Sequence, residues 1–285
     1  MTQMLVGCDF SSSPTRHKPI VMACGHLRGA VVVLERLELL TSLAAFEDWL
    51  AQPRSWTAGF DMPFGLPRDL VETLGWPLDW EACIRHYASL SRAEIRAMFA
   101  AFCNARPVGG KFAHRVCDLP AGSSPSMKWV NPPVAYMLHA GMPRLLDAGV
   151  QCVGLQTVEQ LQESATATPH LRRIALEAYP GLLAREVLGK RSYKSDDRAK
   201  QTPERLIARK DLLTALEMGQ TRLGLRLKLS HAQHDALVDD PKGDALDAVL
   251  CLLQVAWGAR AHAAGDPRHG LPMEMDPLEG WILTV

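Results

Sequence analysis

The sequence predicts an α/β fold: a mixed sheet, built from an antiparallel three-strand meander plus parallel strands, flanked by helices and carrying a helical and loop insertion. Three observations predict it. Apolar, β-branched runs at 4–9, 20–24 and 30–37 follow one another with polar turns between them. A helical pattern separates the third run from a fourth, Trp56 to Asp61. Beyond 170, a short apolar run is followed by helical patterns that end in a strongly apolar helix over 243–262.

The elements follow in order. Met4 to Asp9 reads as a buried strand, and Ser11-Ser12-Ser13-Pro14 as the turn after it. His26-Leu27-Arg28-Gly29 joins the second and third runs. Ser42 stands where a helix N-cap belongs, and Leu43, Phe46 and Leu50 repeat at helical spacing. The fourth strand is stopped by Pro63. Strand, helix, strand is a crossover unit, so this strand is expected to lie parallel to an earlier one. Residues 67–103 read as helices, whereas 104–133 are rich in Gly, Pro, Ser and Arg with no period. Such long loops inside compact domains are usually functional or disordered. Helix returns over 134–149, a strand is expected over Val150 to Leu155, and Gln156 to Pro169 is a polar linker. Ile174 to Tyr179 reads as a strand, and Pro180 takes the first position of a helix. Further helices are expected over 203–219 and 243–262, and a terminal strand over Trp281 to Val285. The whole, 1–285, reads as one domain, with 76–170 as an insertion suited to substrate selection.

Composition narrows the function. The 285 residues are 47% hydrophobic and 22% charged, with a formal net charge of zero. That excludes a chain coated in positive charge to hold long nucleic acid, while leaving room for a local basic patch. No apolar run approaches a membrane span, and Met1 to Asp9 lacks the basic start and long apolar stretch of a signal peptide. Cysteines at 8, 24, 83, 103, 117, 152 and 251 are odd in number and never spaced C-x-x-C. They are expected to be reduced thiols of a cytoplasmic protein.

Acidic residues at element ends carry the chemistry. Asp9 ends the first strand, and Asp61 ends the fourth within Gly59-Phe60-Asp61-Met62-Pro63-Phe64-Gly65. Glu177 stands late in another strand, in Glu177-Ala178-Tyr179-Pro180. Asp244 and Asp247 open the last helix, three apart and therefore on one face, which continues as Ala248, Cys251 and Val255. Carboxylates on an apolar stripe require a positive partner, either a metal ion or basic side chains. Mg2+ and Mn2+ favour oxygen ligands, and a carboxylate cluster can hold two such ions roughly 3.5–4 Å apart, a geometry suited to phosphodiester hydrolysis. Each residue alone has a plainer reading: a strand-end Asp forms turns, Asp244 complements a helix dipole, and Glu177 pairs with Arg172 or Arg173. The combination in this chain order is what points to a metal.

At these residues the sequence resembles the RNase H-like nucleases grouped as domain-of-unknown-function family 429. The matching pieces are Val6-Gly7-Cys8-Asp9, Gly59 to Gly65, Glu177 to Pro180, Asp244-Ala245-Leu246-Asp247-Ala248 and Glu279-Gly280-Trp281-Ile282, which together span nearly the whole chain. The Asp-Ala-Leu-Asp-Ala element is also similar to the last helix of Holliday-junction resolvases. The resemblance implies an RNase H-like sheet, metal ligands at Asp9, Asp61, Asp244 and Asp247, a further catalytic role for Glu177, and Mg2+ or Mn2+ as cofactor. Many relatives in that superfamily carry Glu at the fourth strand, and Asp61 shortens the reach by one methylene.

Substrate, a nucleic acid or other phosphodiester, is expected to meet basic residues. The loop 104–133 offers Arg106, Lys111, His114, Arg115, Lys128 and Asn131. Residues 185–210 hold nine Lys or Arg against four Asp or Glu, with Lys190, Arg191 and Lys194 around Tyr193, whose ring is placed to stack on a base. The plainer reading is a solvated face. Two other functions compete: an ATP-dependent phosphotransferase of the related actin-like superfamily, for which Gly109-Gly110 is poor phosphate-binding material, and a non-catalytic nucleic-acid-binding module.

Overall fold

The computed structural model describes residues 4–157, 160 and 171–285. Among them a seven-stranded sheet forms from β1 (Met4–Asp9), β2 (Ile20–Arg28), β3 (Val31–Leu40), β4 (Trp56–Asp61), β5 (Gln151–Cys152), β6 (Arg173–Ala178) and β7 (Arg226–Lys228). The spatial order is β5-β6-β4-β1-β2-β3-β7. β1, β2 and β3 form an antiparallel meander. β4 lies parallel to β1, β6 to β4, β5 to β6 and β7 to β3. The fold is thus the mixed α/β sheet expected from the sequence. β1, β4 and β6 are buried along nearly their whole length, which is why they read as unbroken apolar runs and not as alternating ones.

Helices cover both faces. α1 (Leu43–Ala51) is the crossover from β3 to β4, and the Ser42 hydroxyl accepts the Ala45 N–H at 3.0 Å as its cap. Its Phe46 ring meets Phe60 of β4 edge-on, with centroids 6.2 Å apart. Next come α2 (Arg68–Thr73), α3 (Trp80–Ser89), α4 (Arg92–Asn104), a single turn α5 (Asp118–Ala121) and α6 (Val134–Asp147). After β6 come α7 (Pro180–Leu188), which has Pro180 in its first turn, α8 (Pro203–Met218), α9 (His231–Val238) and α10 (Asp244–Ala263). α10 packs across β1, β2 and β4. Gly7 sets that packing: a Cβ there would lie 2.0 Å from the Ala248 carbonyl oxygen and 2.2 Å from the Leu252 nitrogen. The helix backbone therefore rests directly on β1. One continuous apolar core runs from the sheet into the 76–170 segment, including Trp80, Ile95 and Phe99.

Several expectations are corrected. The meander turn is Gly29-Ala30, not His26 to Gly29, because a register shift between Cys24 and Gly25 resets the alternation and lets His26 to Arg28 keep pairing with β3. The strand expected over Val150 to Leu155 shrinks to β5, since the chain turns at Gly154, where φ is +79°. Trp281 to Val285 forms only a bridge between Ile282 and Glu177. β7 and α9 carry no expectation from the sequence. The linker Gln156 to Pro169 lies largely outside the described residues. All seven cysteines are buried and free. Among the described residues, no helix is long and apolar enough to cross a membrane.

Candidate metal centre

Asp9 and Asp61 are paired residues of the parallel strands β1 and β4, so they leave the carboxyl edge of the sheet side by side. They share the parity of Gly7 and Gly59, whose open faces are filled by α10. Asp247 lies in the first turn of that helix. The close seat of α10 on Gly7 thus sets a helix carboxylate against two strand-end carboxylates. Asp9, Asp61 and Asp247 each offer an oxygen within 4.8 Å of the others.

The three are unequally satisfied. Asp247 is fully buried, and its two oxygens accept from the Tyr193 hydroxyl and the Lys194 ammonium. Among the described residues, no group donates a hydrogen bond to the Asp9 or Asp61 carboxylate. Both open onto solvent at one side yet have lost most of their hydration. Enclosure, followed by the Asp247 charge, raises the Asp9 carboxyl well above the usual range, and Lys194 only partly opposes this. The same causes, with Glu177 adding to them, push Asp61 up to about 7. Burial disfavours the Lys194 ammonium, but Asp247, Tyr193 and Asp9 outweigh it and hold its pKa well above the usual lysine value. The cluster is short of positive charge.

Asp9 and Asp61 border a cleft of about 680 Å³ at the carboxyl edge of β1, β4 and β6, while Asp247 lies behind them. Asp9, Asp61, Glu177, Lys194 and Asp244 contribute to it, and the far side is apolar, formed by Phe10, Met62 and residues of α6. A smaller cavity of about 230 Å³ reaches Asp61, Asp247 and Lys194 from the side of α7.

The other expected residues fall into distinct places. Asp244 lines the cleft at the start of α10 but stands outside the trio. Its carboxyl is also raised by burial, against the opposing pull of Lys18 and Lys194. Glu177 pairs with Phe60, one residue before the pairing of Asp61 with Ala178, so it points to the opposite face of the sheet from Asp61. There it accepts from the Phe64 N–H at 2.9 Å and from both terminal nitrogens of Arg115, at 2.8 and 2.6 Å. Arg115, expected among the substrate-facing loop cations, is 2% exposed and also grips Asp118 and the Glu279 carbonyl. Loop and strand end are thereby pinned together. Tyr193 is buried against Asp247 instead of offering a free ring for stacking. Lys194 reaches the trio, with a side chain 40% exposed. Lys190, Lys111 and His114 are exposed and line neither cavity. Arg191 borders the smaller cavity and pairs with Asp211. Sequence reasoning missed Lys18, Arg92 and Tyr136, which line the cleft from distant segments and carry no local signal of doing so.

A family model described as "Protein of unknown function (DUF429)" matches residues 7–273. No curated protein and no solved structure matches the chain.

Proposed function

The chain belongs to the DUF429 family, and on that premise we propose that it is a divalent-metal-dependent hydrolase of phosphodiesters, a nuclease-type enzyme on an RNase H-like sheet. The meander followed by a parallel crossover, with acidic residues at the ends of β1 and β4 and on a late helix, supports the fold assignment. The observation that carries the chemistry is the pair of carboxylates, Asp9 and Asp61, that lack donors and are raised by enclosure beside Asp247. Once an ion displaces the protons that Asp9 and Asp61 retain, three carboxylates against one ammonium leave about two negative charges, which suits a divalent oxygen-seeking ion such as Mg2+ or Mn2+. Asp9, Asp61 and Asp247 would hold it, with Asp244 at the rim.

When bound, such an ion lowers the pKa of water and offsets charge on a phosphoryl oxygen. The chain supplies the rest. Tyr193 fixes one oxygen of Asp247 and so its orientation. Lys194 presents a cation to the cleft, where it offsets phosphate charge. The Glu177–Arg115–Asp118 group holds the loop against the sheet and keeps the cleft's shape.

The test is calorimetric titration of Mn2+ into wild type and Asp9→Asn at neutral pH. Saturable binding in wild type that is lost in the variant supports the reading and opens a phosphodiester screen. Equal binding in both removes Asp9 as a ligand, and no binding in wild type sinks the metal centre.

A further inference from the structure

We propose that the cleft takes a single nucleotide-sized phosphoester, its flat apolar group lying on the α6 wall, and not a polymeric duplex. This rests on the hydrolase reading for where the phosphate sits. The volume, about 680 Å³, falls within the range of small-molecule sites, about 300–1,000 Å³. Its two sides differ in chemistry: carboxylates and Lys194 on the floor, and Phe10, Met62, Val134, Tyr136 and Met137 opposite. One polar end and one apolar end match a nucleotide, whose phosphate and base make the same division.

The wall is built into the fold. At Gly141 of α6 a Cβ would lie 2.1 Å from the Met62 sulfur and 3.2 Å from the Phe10 ring, so the helix closes against these two side chains to form the apolar wall only because that position has no side chain. The segments beside it are tied together. Arg92 of α4 donates to the Ser12 carbonyl at 3.0 Å and the Ser13 hydroxyl at 3.3 Å, while its guanidinium lies 4.8 Å from the Tyr136 ring centroid. Arg92 thereby joins α4 and α6 to the loop after β1 along the cleft lining.

The cations argue the same way. A surface that tracks a polymer needs a row of free Lys and Arg. Of those lining the cleft, Lys18 pairs with Asp196, Arg92 with the serines and Arg115 with Glu177, which leaves Lys194, held by Asp247 but part-exposed, to meet one phosphate and no row of them. The freer cations Lys111 and Lys190 lie outside it.

The experiment titrates nucleoside 5′-monophosphates and a long DNA duplex into the full chain, with and without Mn2+. Wild type is compared with Met137→Trp and Val134→Trp, either of which fills the wall, and Mn2+ binding is measured in each to show that the fold is intact. The expected result is saturable nucleotide binding in wild type, weakened at least about tenfold in a folded wall variant whose Mn2+ affinity is unchanged. Absence of nucleotide binding under both conditions overturns the inference. So does a duplex that binds wild type more tightly than any nucleotide, or nucleotide binding that ignores both tryptophans. Nucleotide binding that persists and responds to the tryptophans, in a wild type that takes up no Mn2+, upholds the cleft assignment and removes only the hydrolase reading.

Discussion

Asp61→Asn is expected to stabilise the metal-free protein at alkaline pH. Asp61 is pushed up to about 7 in the fold, while in the unfolded chain it ionises near 4. Between those values the folded chain binds more protons than the unfolded one, so stability falls as pH rises through that window. Above pH 7 the charged carboxylate carries its whole penalty. The gap of about 3 pH units, at about 1.4 kcal/mol each, gives a ceiling of about 4 kcal/mol, and water entering from the cleft reduces it towards about 2 kcal/mol. Asn keeps the shape, removes the charge and adds donors for Asp9 and Asp247. Urea unfolding in chelator, followed by tryptophan fluorescence, should therefore find the variant more stable than wild type at pH 8, with the gap closing towards pH 4. Adding Mn2+ at pH 8 should stabilise wild type and leave the variant unmoved. A variant less stable than wild type at pH 8 in chelator, or two parallel pH curves, would refute the reasoning.

Three further outcomes are expected. Gly7→Ala places a methyl 2.0 Å from the Ala248 oxygen and must lift α10 off β1; unfolding should show a loss of about 1–3 kcal/mol or more, and calorimetry a Mn2+ affinity weakened at least about tenfold. Arg115→Met strands Glu177 and Asp118 as buried charges at a cost of about 3–5 kcal/mol. Adding Glu177→Gln should recover part of this, and Mn2+ affinity of the folded double variant should stay close to wild type, because Glu177 is not in the trio. Lys194→Met removes the cation that pulls the Asp9 and Asp61 carboxyls down. The pH below which Mn2+ is released should therefore move upward, while affinity at pH 9 should rise, because wild type still carries the competing ammonium there and the variant does not; weaker binding at every pH would count against the site.

The parts of the site that were legible in the sequence are those whose position follows from local period. Asp9 and Asp61 close apolar runs, and a strand buried on both faces has its ends where the apolar residues stop. Asp247 sits on a helix whose buried stripe is visible from spacing alone. The sheet's mixed character followed from the meander and one crossover, because a short turn forces antiparallel neighbours and a helical connection permits parallel ones. β7 has only three residues, too few to display a period, and α9 has no clear apolar face.

What stayed hidden depends on register, which a single strand does not encode. Glu177 stands late in its strand, near where Asp9 and Asp61 end theirs, and the sequence alone does not say which face it takes. The pairing of Asp61 with Ala178 instead of Glu177 turns the glutamate to the other face, where Arg115 meets it. One residue of offset converts a candidate ligand into the anchor of a loop. Asp244 shows the helical counterpart: it shares a face with Asp247, but one turn of rise carries it to the rim while Asp247 stays against β1 and β4. The reverse holds for Tyr193 and Lys194. Their setting among Lys190, Arg191 and other basic residues made them look like an outer patch, and the chain folds them inward because Gly243, at φ +74°, leaves room for Lys194: a Cβ there would lie 2.8 Å from the Lys194 Cβ. Of the two partners that the helix carboxylates called for when read alone, the basic side chain is present at Asp247, and the proposed ion would answer the other two carboxylates. Lys194 answers Asp247, and the unanswered charge rests on Asp9 and Asp61.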